Sequence, residues 1–176
     1  QQKKSVVLSE SGSTLLYPVF NVWAKNYTDP NYNVTITTQA TGSGTGISSA
    51  IKGTVIIGAS DTYMSDSLMA SNPGMLNIPI LISSQYIAYN IPGLNDMHLV
   101  LSGPVIAGIY NNTIQYWDDQ NIASLNPGIS LPHERIIPVY RSDGSGDTAM
   151  FTSFLSKSCQ WWNRTVGYGT NGDMLH

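Results

Sequence analysis

Small polar residues and glycines cluster at four points of this 176-residue chain, each shortly after a stretch that predicts a β-strand. These cradle segments are residues 12–14, 42–44, 60–61 and 145–147. Hydroxyl groups and backbone amides are donors suited to a tetrahedral oxyanion, and glycine lets such a ligand approach the backbone closely. The four segments together therefore indicate a binding site for a small anion.

Four charged residues in or near these segments indicate which kind of anion the site would bind. Arg141 offers a planar fork of donors to a phosphoryl or carboxylate group, and Asp143, two residues away, can hold that fork in place. Asp61 and Asp147 would repel a fully ionised ligand unless they accept hydrogen bonds from protons that the ligand carries. Phosphate retains such protons near neutral pH and sulfate does not, so the two carboxylates predict selection of phosphate.

Predicted strands and helices alternate along the chain and place the cradle segments at the ends of strands. Strands are predicted over residues 5–8, 33–38, 54–58 and 135–140, and helices over 47–52, 63–70, 99–111 and 117–125, with further helices after residues 14 and 147. This alternation predicts an α/β fold with a mostly parallel sheet. In such sheets ligands bind beyond the carboxyl ends of the strands, where the N-termini of helices present free amides.

A division into two lobes is predicted from the middle of the chain. Residues 75–91 are apolar and strand-like, and Pro-Gly pairs flank them. We interpret them as the crossing between a first lobe, residues 1–82, and a second lobe, residues 83–176. Asp61 is expected near the N-cap of the third helix, and Asp118 and Asp119 in the first turn of the helix over 117–125.

Composition restricts the classes of function. Charged residues make up 11% of the chain and the net charge is −3, so no positive patch for a nucleic acid or an anionic membrane is expected. His98, His133 and His176 lie in predicted loops or at the terminus, and no metal-binding or activated-nucleophile motif is present. A metal, a cofactor and catalysis are therefore not expected.

Five motifs, taken in order and spacing, resemble the substrate-binding proteins of phosphate ABC transporters. They lie at residues 12–18 (GSTLLYP), 41–46 (TGSGTG), 58–61 (GASD), 117–128 (WDD with LNPG) and 141–148 (RSDGSGDT). This resemblance implies a periplasmic-binding-protein-like fold of two lobes that binds inorganic phosphate and delivers it to the membrane subunits of an ABC importer.

The resemblance also implies roles for individual residues. Hydrogen-bond donors to phosphate would be Ser13, Thr14, Leu15, Ser43, Arg141, Ser145 and Gly146. Asp61 would accept a proton of the ligand, and Asp143 would steady the arginine. Position 147 varies in the family, and the branch that carries aspartate there implies that Asp147 is a second proton acceptor.

Length separates this chain from that family, whose members are usually longer. The fold is therefore expected to be incomplete at the C-terminus, either because the chain is a fragment or because a neighbouring chain supplies the missing elements. The second case leaves an alternative function open, a structural or filament-like surface-assembly protein built on the same scaffold.

An exported protein is expected, located outside the cell, on its surface or in the periplasm. The chain starts at Gln1 without a signal-like apolar segment, which we interpret as a processed N-terminus, and the single Cys159 cannot form an internal disulfide. Glycosylation sequons, close to the number that chance predicts, occur at Asn26, Asn33, Asn111 and Asn163.

Overall fold

The first part of the chain forms a β-α-β-α-β unit. The computed structural model describes residues 3–94 and 97–175. In chain order the elements of this unit are β1 (Lys4–Gly12), α1 (Tyr17–Asn26), β2 (Tyr32–Thr37), α2 (Ser43–Ile51) and β3 (Ile57–Ala59).

The three strands form one parallel sheet in the order β2-β1-β3. Lys4 pairs with Tyr32 at one end of β1, and Gly12 pairs with Ala59 at the other. The predicted α/β class with a parallel sheet is confirmed. Because all three strands run in one direction, the cradle segments that follow them meet at the same edge of the sheet.

Gly12 lets β1 and β3 come together at that edge. Its φ angle of 145° lies in a region that L side chains rarely adopt, and a Cβ there would collide with the carbonyl oxygen of Ala59. The chain therefore turns from β1 towards Ser13 in direct contact with β3.

The second part of the chain is mainly helical. Its elements are α3 (Asp66–Ser71), α4 (Gly103–Tyr110), α5 (Gln120–Ala123), α6 (Gly146–Ser158), α7 (Gln160–Thr165) and a 3-10 helix (Gly172–Leu175). One core cluster packs α4 against α6 and α7 through Ile106, Ala107, Phe151, Leu155, Trp162 and Leu175. A second cluster surrounds α4 and α5 and is formed by Val105, Ile109, Ile114, Ile122 and Ile136.

The third helix starts later than the predicted 63–70. α3 begins at Asp66 because the hydroxyl of Ser65 accepts a hydrogen bond from the Leu68 amide, 3.3 Å away, and so caps the helix. The expectation that Asp61 lies near this N-cap is wrong, which leaves the carboxylate of Asp61 available for the edge of the sheet.

The next two helices are also shorter than predicted. The helix predicted over 99–111 is α4, which starts after its N-cap, Ser102. The helix predicted over 117–125 is reduced to the four residues of α5, where Asp119 is the N-cap. Asp118 precedes the cap, so placing both carboxylates in the first turn was wrong. A side chain that accepts a hydrogen bond from a backbone amide fixes where a helix begins, whereas the periodicity of apolar residues alone would extend the helix further.

Two predicted strand regions are extended but join no sheet. Among the described residues, 135–140 takes part in one isolated bridge, Arg135 with Tyr116, and 75–91 in another, Met75 with Pro73. A strand needs a neighbour that pairs its N–H and C=O groups along its length, whereas the described residues give each region one isolated bridge and no ladder. The prediction of strands there is therefore wrong for this chain on its own.

Glu10 is a buried carboxylate that sequence reasoning missed. Its side chain, on β1, is 1% exposed, and neither carboxylate oxygen has a hydrogen-bond partner within the described part of the chain. Burial raises its pKa, and the nearby Gln39 backbone offsets this in part. The folded state therefore holds the Glu10 proton more tightly than the unfolded state does.

We expect this carboxylate to make the stability of the protein depend on pH. The contribution of protonated Glu10 to the free energy of unfolding is complete below the pKa of unfolded glutamate. This contribution is lost as the pH rises through the raised pKa of folded Glu10. In urea denaturation, Glu10→Gln should flatten this decline as the pH rises above the pKa of unfolded glutamate. Glu134→Gln, at an exposed position, is the control. An unchanged decline in Glu10→Gln would contradict the assignment.

Candidate anion-binding site

Three of the cradle segments meet around the carboxylate of Asp61. The hydroxyl of Ser13, which follows β1, donates a hydrogen bond to one carboxylate oxygen of Asp61. The hydroxyl of Ser43, at the start of α2, donates to the other oxygen over 3.1 Å, and the Asp61 amide donates to the Ser43 oxygen over 3.1 Å. Both serine side chains are buried. Ser13 lies 48 positions and Ser43 lies 18 positions before Asp61 in the sequence, and the fold brings these three residues into one cluster.

The turn after β1 is organised by Ser13. Its oxygen accepts hydrogen bonds from the Leu15 and Leu16 amides, each 3.1 Å away, just before α1 begins. Thr14 and Leu15 are exposed. Of the three predicted donors in this turn, the structure therefore places Ser13 inside the cluster and leaves the side chains of the other two on the surface.

The N-terminus of α6 brings the fourth cradle segment to the same place. A Cβ built on Gly146 would lie 2.6 Å from the Ser43 hydroxyl oxygen and 2.7 Å from the Asp61 Cβ, so only glycine allows this approach. Ser145 is the N-cap of α6, and its oxygen accepts from the Thr148 amide over 3.4 Å. Its own amide donates to the Thr170 carbonyl, so the predicted donor Ser145 is engaged within the protein.

Arg141 is held in a fixed orientation beside this cluster. Its Nε donates to Asp143 over 2.6 Å and one terminal nitrogen donates to the second oxygen of Asp143 over 2.5 Å. This bidentate hydrogen bond raises the pKa of Arg141 and lowers the pKa of Asp143. The other terminal nitrogen, Nη1, remains for a further partner and lies 3.8 Å from Asp147. Asp143 therefore holds the Arg141 guanidinium in one orientation.

Asp147 differs from Asp61 in its surroundings. Its carboxylate is partly exposed, 38%, and accepts no hydrogen bond from the residues that the structure describes. Burial has the largest effect and raises the pKa of Asp147. The negative charges of Asp61 and Asp143 raise this pKa further, whereas the positive charge of Arg141 lowers it. A carboxylate in this environment is an acceptor that remains open to a protonated ligand.

Two further contacts near the site were not predicted. The Gln85 side-chain amide, from the crossing segment, donates to the Asp147 carbonyl over 3.0 Å. Ser11 and Thr41 share a hydrogen bond of 2.7 Å between their hydroxyls, next to the cradle segments. The contact between Ser11 and Thr41 could have been predicted, because both are hydroxyl residues near the ends of strands. No sequence pattern predicts the contact of Gln85.

The other residues singled out in the sequence lie apart from this cluster. His133 contacts Asp118, and His176 lies outside the described residues. Asn26, Asn33 and Asn163 are exposed and Asn111 is half-buried, so their glycosylation stays a prediction. Among the described residues, no helix is both long and apolar enough to cross a membrane, and no group of three or more side chains is arranged to hold a metal ion.

Known proteins share both the sequence and the fold of this chain. The phosphate-binding protein PstS of Methanocaldococcus jannaschii is 35% identical to it over 96% of this chain and 45% of the relative. PstS of Pasteurella multocida is 38% identical over 92% of this chain and 46% of the relative. A crystal structure of a phosphate-binding protein from Stenotrophomonas maltophilia matches its fold with a TM-score of 0.53 at 21% identity, over 88% of this chain and 44% of the other.

This chain spans about half the length of the curated relatives that it matches. The match nevertheless extends over nearly all of its own residues, including every cradle segment. The family model described as PBP superfamily domain covers residues 1–172. The resemblance stated from the five motifs is thus confirmed, and the chain belongs to the PBP superfamily.

Proposed function

We propose that this chain contributes the binding site for inorganic phosphate in a substrate-binding protein of an ABC importer. The observation that carries the proposal is the meeting of Ser13, Ser43, Asp61 and Gly146 beside the oriented guanidinium of Arg141. Donors from hydroxyls, from the α6 N-terminus and from one arginine suit an oxyanion of small size.

The two aspartates would set the selectivity of this site. Asp61 now accepts from the same hydroxyls that would donate to an oxyanion, so the ligand competes with its carboxylate for them. A phosphate that carries protons can donate to Asp61 and Asp147 in return and so offset the repulsion between negative charges. Sulfate carries no proton under these conditions and would meet only repulsion.

The whole protein's role follows from the same proposal. Residues 1–82 and 83–176 would belong to two lobes that close around phosphate and hand it to the membrane subunits of an importer, outside the cell, on its surface or in the periplasm. The relatives are named for binding phosphate rather than for catalysis. The comparisons give no support to the alternative of a self-assembling surface protein.

Calorimetry with phosphate and sulfate tests the proposal. Phosphate is expected to bind with measurable heat at neutral pH, and sulfate at the same concentration is expected to bind at least about 100-fold more weakly, a difference of about 2.7 kcal/mol. The family-length protein is the sample of choice, with residues 1–176 measured in parallel. No heat with phosphate in either sample, or equal binding of both anions, would overturn the proposal.

A further inference from the structure

A backbone hydrogen bond joins the two parts of the chain that supply the anion site. The amide of Gly44, in the first turn of α2, donates to the carbonyl oxygen of Gly144 over 2.9 Å. Gly44 belongs to the proposed first lobe and Gly144 to the proposed second lobe. We call this hydrogen bond and the two residues that form it the glycine contact. It lies directly beside the site, because Ser43 and Ser145 are its immediate neighbours in the sequence.

The glycine contact brings two backbone segments closer than side chains would allow. A Cβ built on Gly44 would lie 3.2 Å from the Cα of Gly144, and one built on Gly144 would lie 3.3 Å from the Cα of Gly44. Carbon atoms in ordinary contact are about 3.5–4.0 Å apart, so a methyl group on either residue would push the segments apart. Neither residue has a positive φ angle. The contact itself, rather than backbone strain, therefore favours glycine at both positions.

The glycine contact also completes the start of α2. The first amides of a helix have no acceptor within the helix, and the N-cap of α2, Gly42, has no side chain that could accept from them. The Gly144 carbonyl accepts from the Gly44 amide instead, and its negative end is favoured near the positive end of the helix dipole. The second part of the chain therefore caps a helix of the first part.

Two polar residues of the second part pack around the same turn of α2. A Cβ built on Gly42 would lie 2.9 Å from a carboxylate oxygen of Asp143, which orients the site's arginine. One built on Gly44 would lie 3.3 Å from the hydroxyl oxygen of Thr170, whose carbonyl accepts from the Ser145 amide over 2.9 Å. A displacement at the glycine contact would therefore reach both the arginine and the N-terminus of α6.

We infer that Gly44 and Gly144 are positioning residues, which hold the two halves of the anion site at binding distance before the anion arrives. This inference rests on the proposed function, because it concerns the affinity of that same site. Ser43 on one side and Ser145 and Gly146 on the other are adjacent or next to adjacent to the glycine contact in the sequence. Donors that are already in place lose less conformational freedom on binding, so the anion is bound more tightly.

The glycine contact should act mainly on the release of the anion. A ligand enclosed between two lobes leaves only when the lobes move apart. This movement must break the hydrogen bond between Gly44 and Gly144, so the contact opposes opening and slows dissociation. Association begins from an open state in which the contact is already broken, and its rate should therefore depend little on the contact.

Amide hydrogen exchange followed by NMR tests the glycine contact without any ligand. In the phosphate-free, family-length protein, the Gly44 amide is expected to exchange at least about 5-fold faster in Gly144→Ala than in the unmodified protein. The Gly46 amide, which donates to the Gly42 carbonyl within α2 over 3.0 Å, is the internal control and should not change. Equal exchange of the Gly44 amide in the two proteins would overturn the inference, whether or not the protein binds phosphate.

Stopped-flow kinetics with phosphate tests the positioning role. Gly144→Ala should raise the dissociation rate at least about 5-fold and leave the association rate within about 2-fold of the original. Thr45→Ala, at the exposed position next to Gly44 on α2, is the matched control and should change neither rate. An unchanged dissociation rate in Gly144→Ala would overturn the inference. A lower denaturation midpoint with equal losses in both rates would assign Gly144 a merely structural role and would overturn it as well.

Discussion

Replacing Arg141 with alanine is expected to weaken phosphate binding by about 100-fold or more, which corresponds to at least about 2.7 kcal/mol. The guanidinium is held by two short hydrogen bonds to Asp143, and its remaining terminal nitrogen is turned towards Asp147. Hydrogen bonds to charged groups contribute about 1.5–3 kcal/mol each, so the loss of the remaining donor nitrogen and of the positive charge accounts for this size. Isothermal titration calorimetry at fixed ionic strength measures it.

Two further variants show whether geometry or charge carries the effect. Arg141→Lys keeps the charge but loses the planar fork, so it should retain only part of the affinity. Arg164→Ala, at an exposed position on α7, removes a positive charge without touching the site and should leave binding within about 2-fold of the original. A similar affinity in Arg141→Ala and Arg164→Ala would contradict the placement of Arg141 in the site.

Exchanging Asp147 for asparagine is expected to reduce the preference for phosphate over sulfate by about 10- to 100-fold. The Asp147 carboxylate accepts no hydrogen bond from the described residues, whereas both oxygens of Asp61 already accept from serines. An asparagine amide can donate to sulfate, and it removes one repulsive charge. Competition calorimetry with both anions gives the ratio, and Asp66→Asn, exposed on α3, is the control.

The same preference should depend on pH with a defined sign. Because burial and the charge of Asp61 raise the pKa of Asp147, its carboxyl becomes protonated at a higher pH than an ordinary aspartate does. Below that pKa it can donate to sulfate, so selectivity should decrease as the pH falls, and Asp147→Asn should lack this change. Selectivity that is independent of pH in the unmodified protein would contradict the proposed role of the Asp147 carboxylate in selecting phosphate over sulfate.

The fold class could be predicted because it depends on local patterns. β-branched runs predict β2, hydroxyl and glycine residues mark the ends of strands, and alternation of strands with helices favours a parallel sheet. Helix starts were less predictable. Ser65 and Asp119 begin helices through single hydrogen bonds to backbone amides, and periodicity does not reveal these bonds.

Strand formation over residues 135–140 could not be decided from residue types. Their alternation is typical of a strand, yet a strand exists only where a neighbour pairs its backbone along its length, and the described residues pair with this region in a single bridge, Arg135 with Tyr116. The burial of Glu10 could not be predicted from the sequence either, because it depends on which residues pack against its side chain across the sheet. Both features depend on contacts between distant parts of the chain.

The sequence by itself determined the parallel α/β class and the residue types of the candidate site, since strand ends, hydroxyl clusters and the Arg141 and Asp143 pair are close in sequence. Only the tertiary structure decided which aspartate is engaged by serines and which remains open. Ser13 and Asp61 are 48 positions apart, and their contact depends on the order of strands in the sheet. Local propensity selects the elements, whereas hydrogen-bond partners across the sheet are selected by packing.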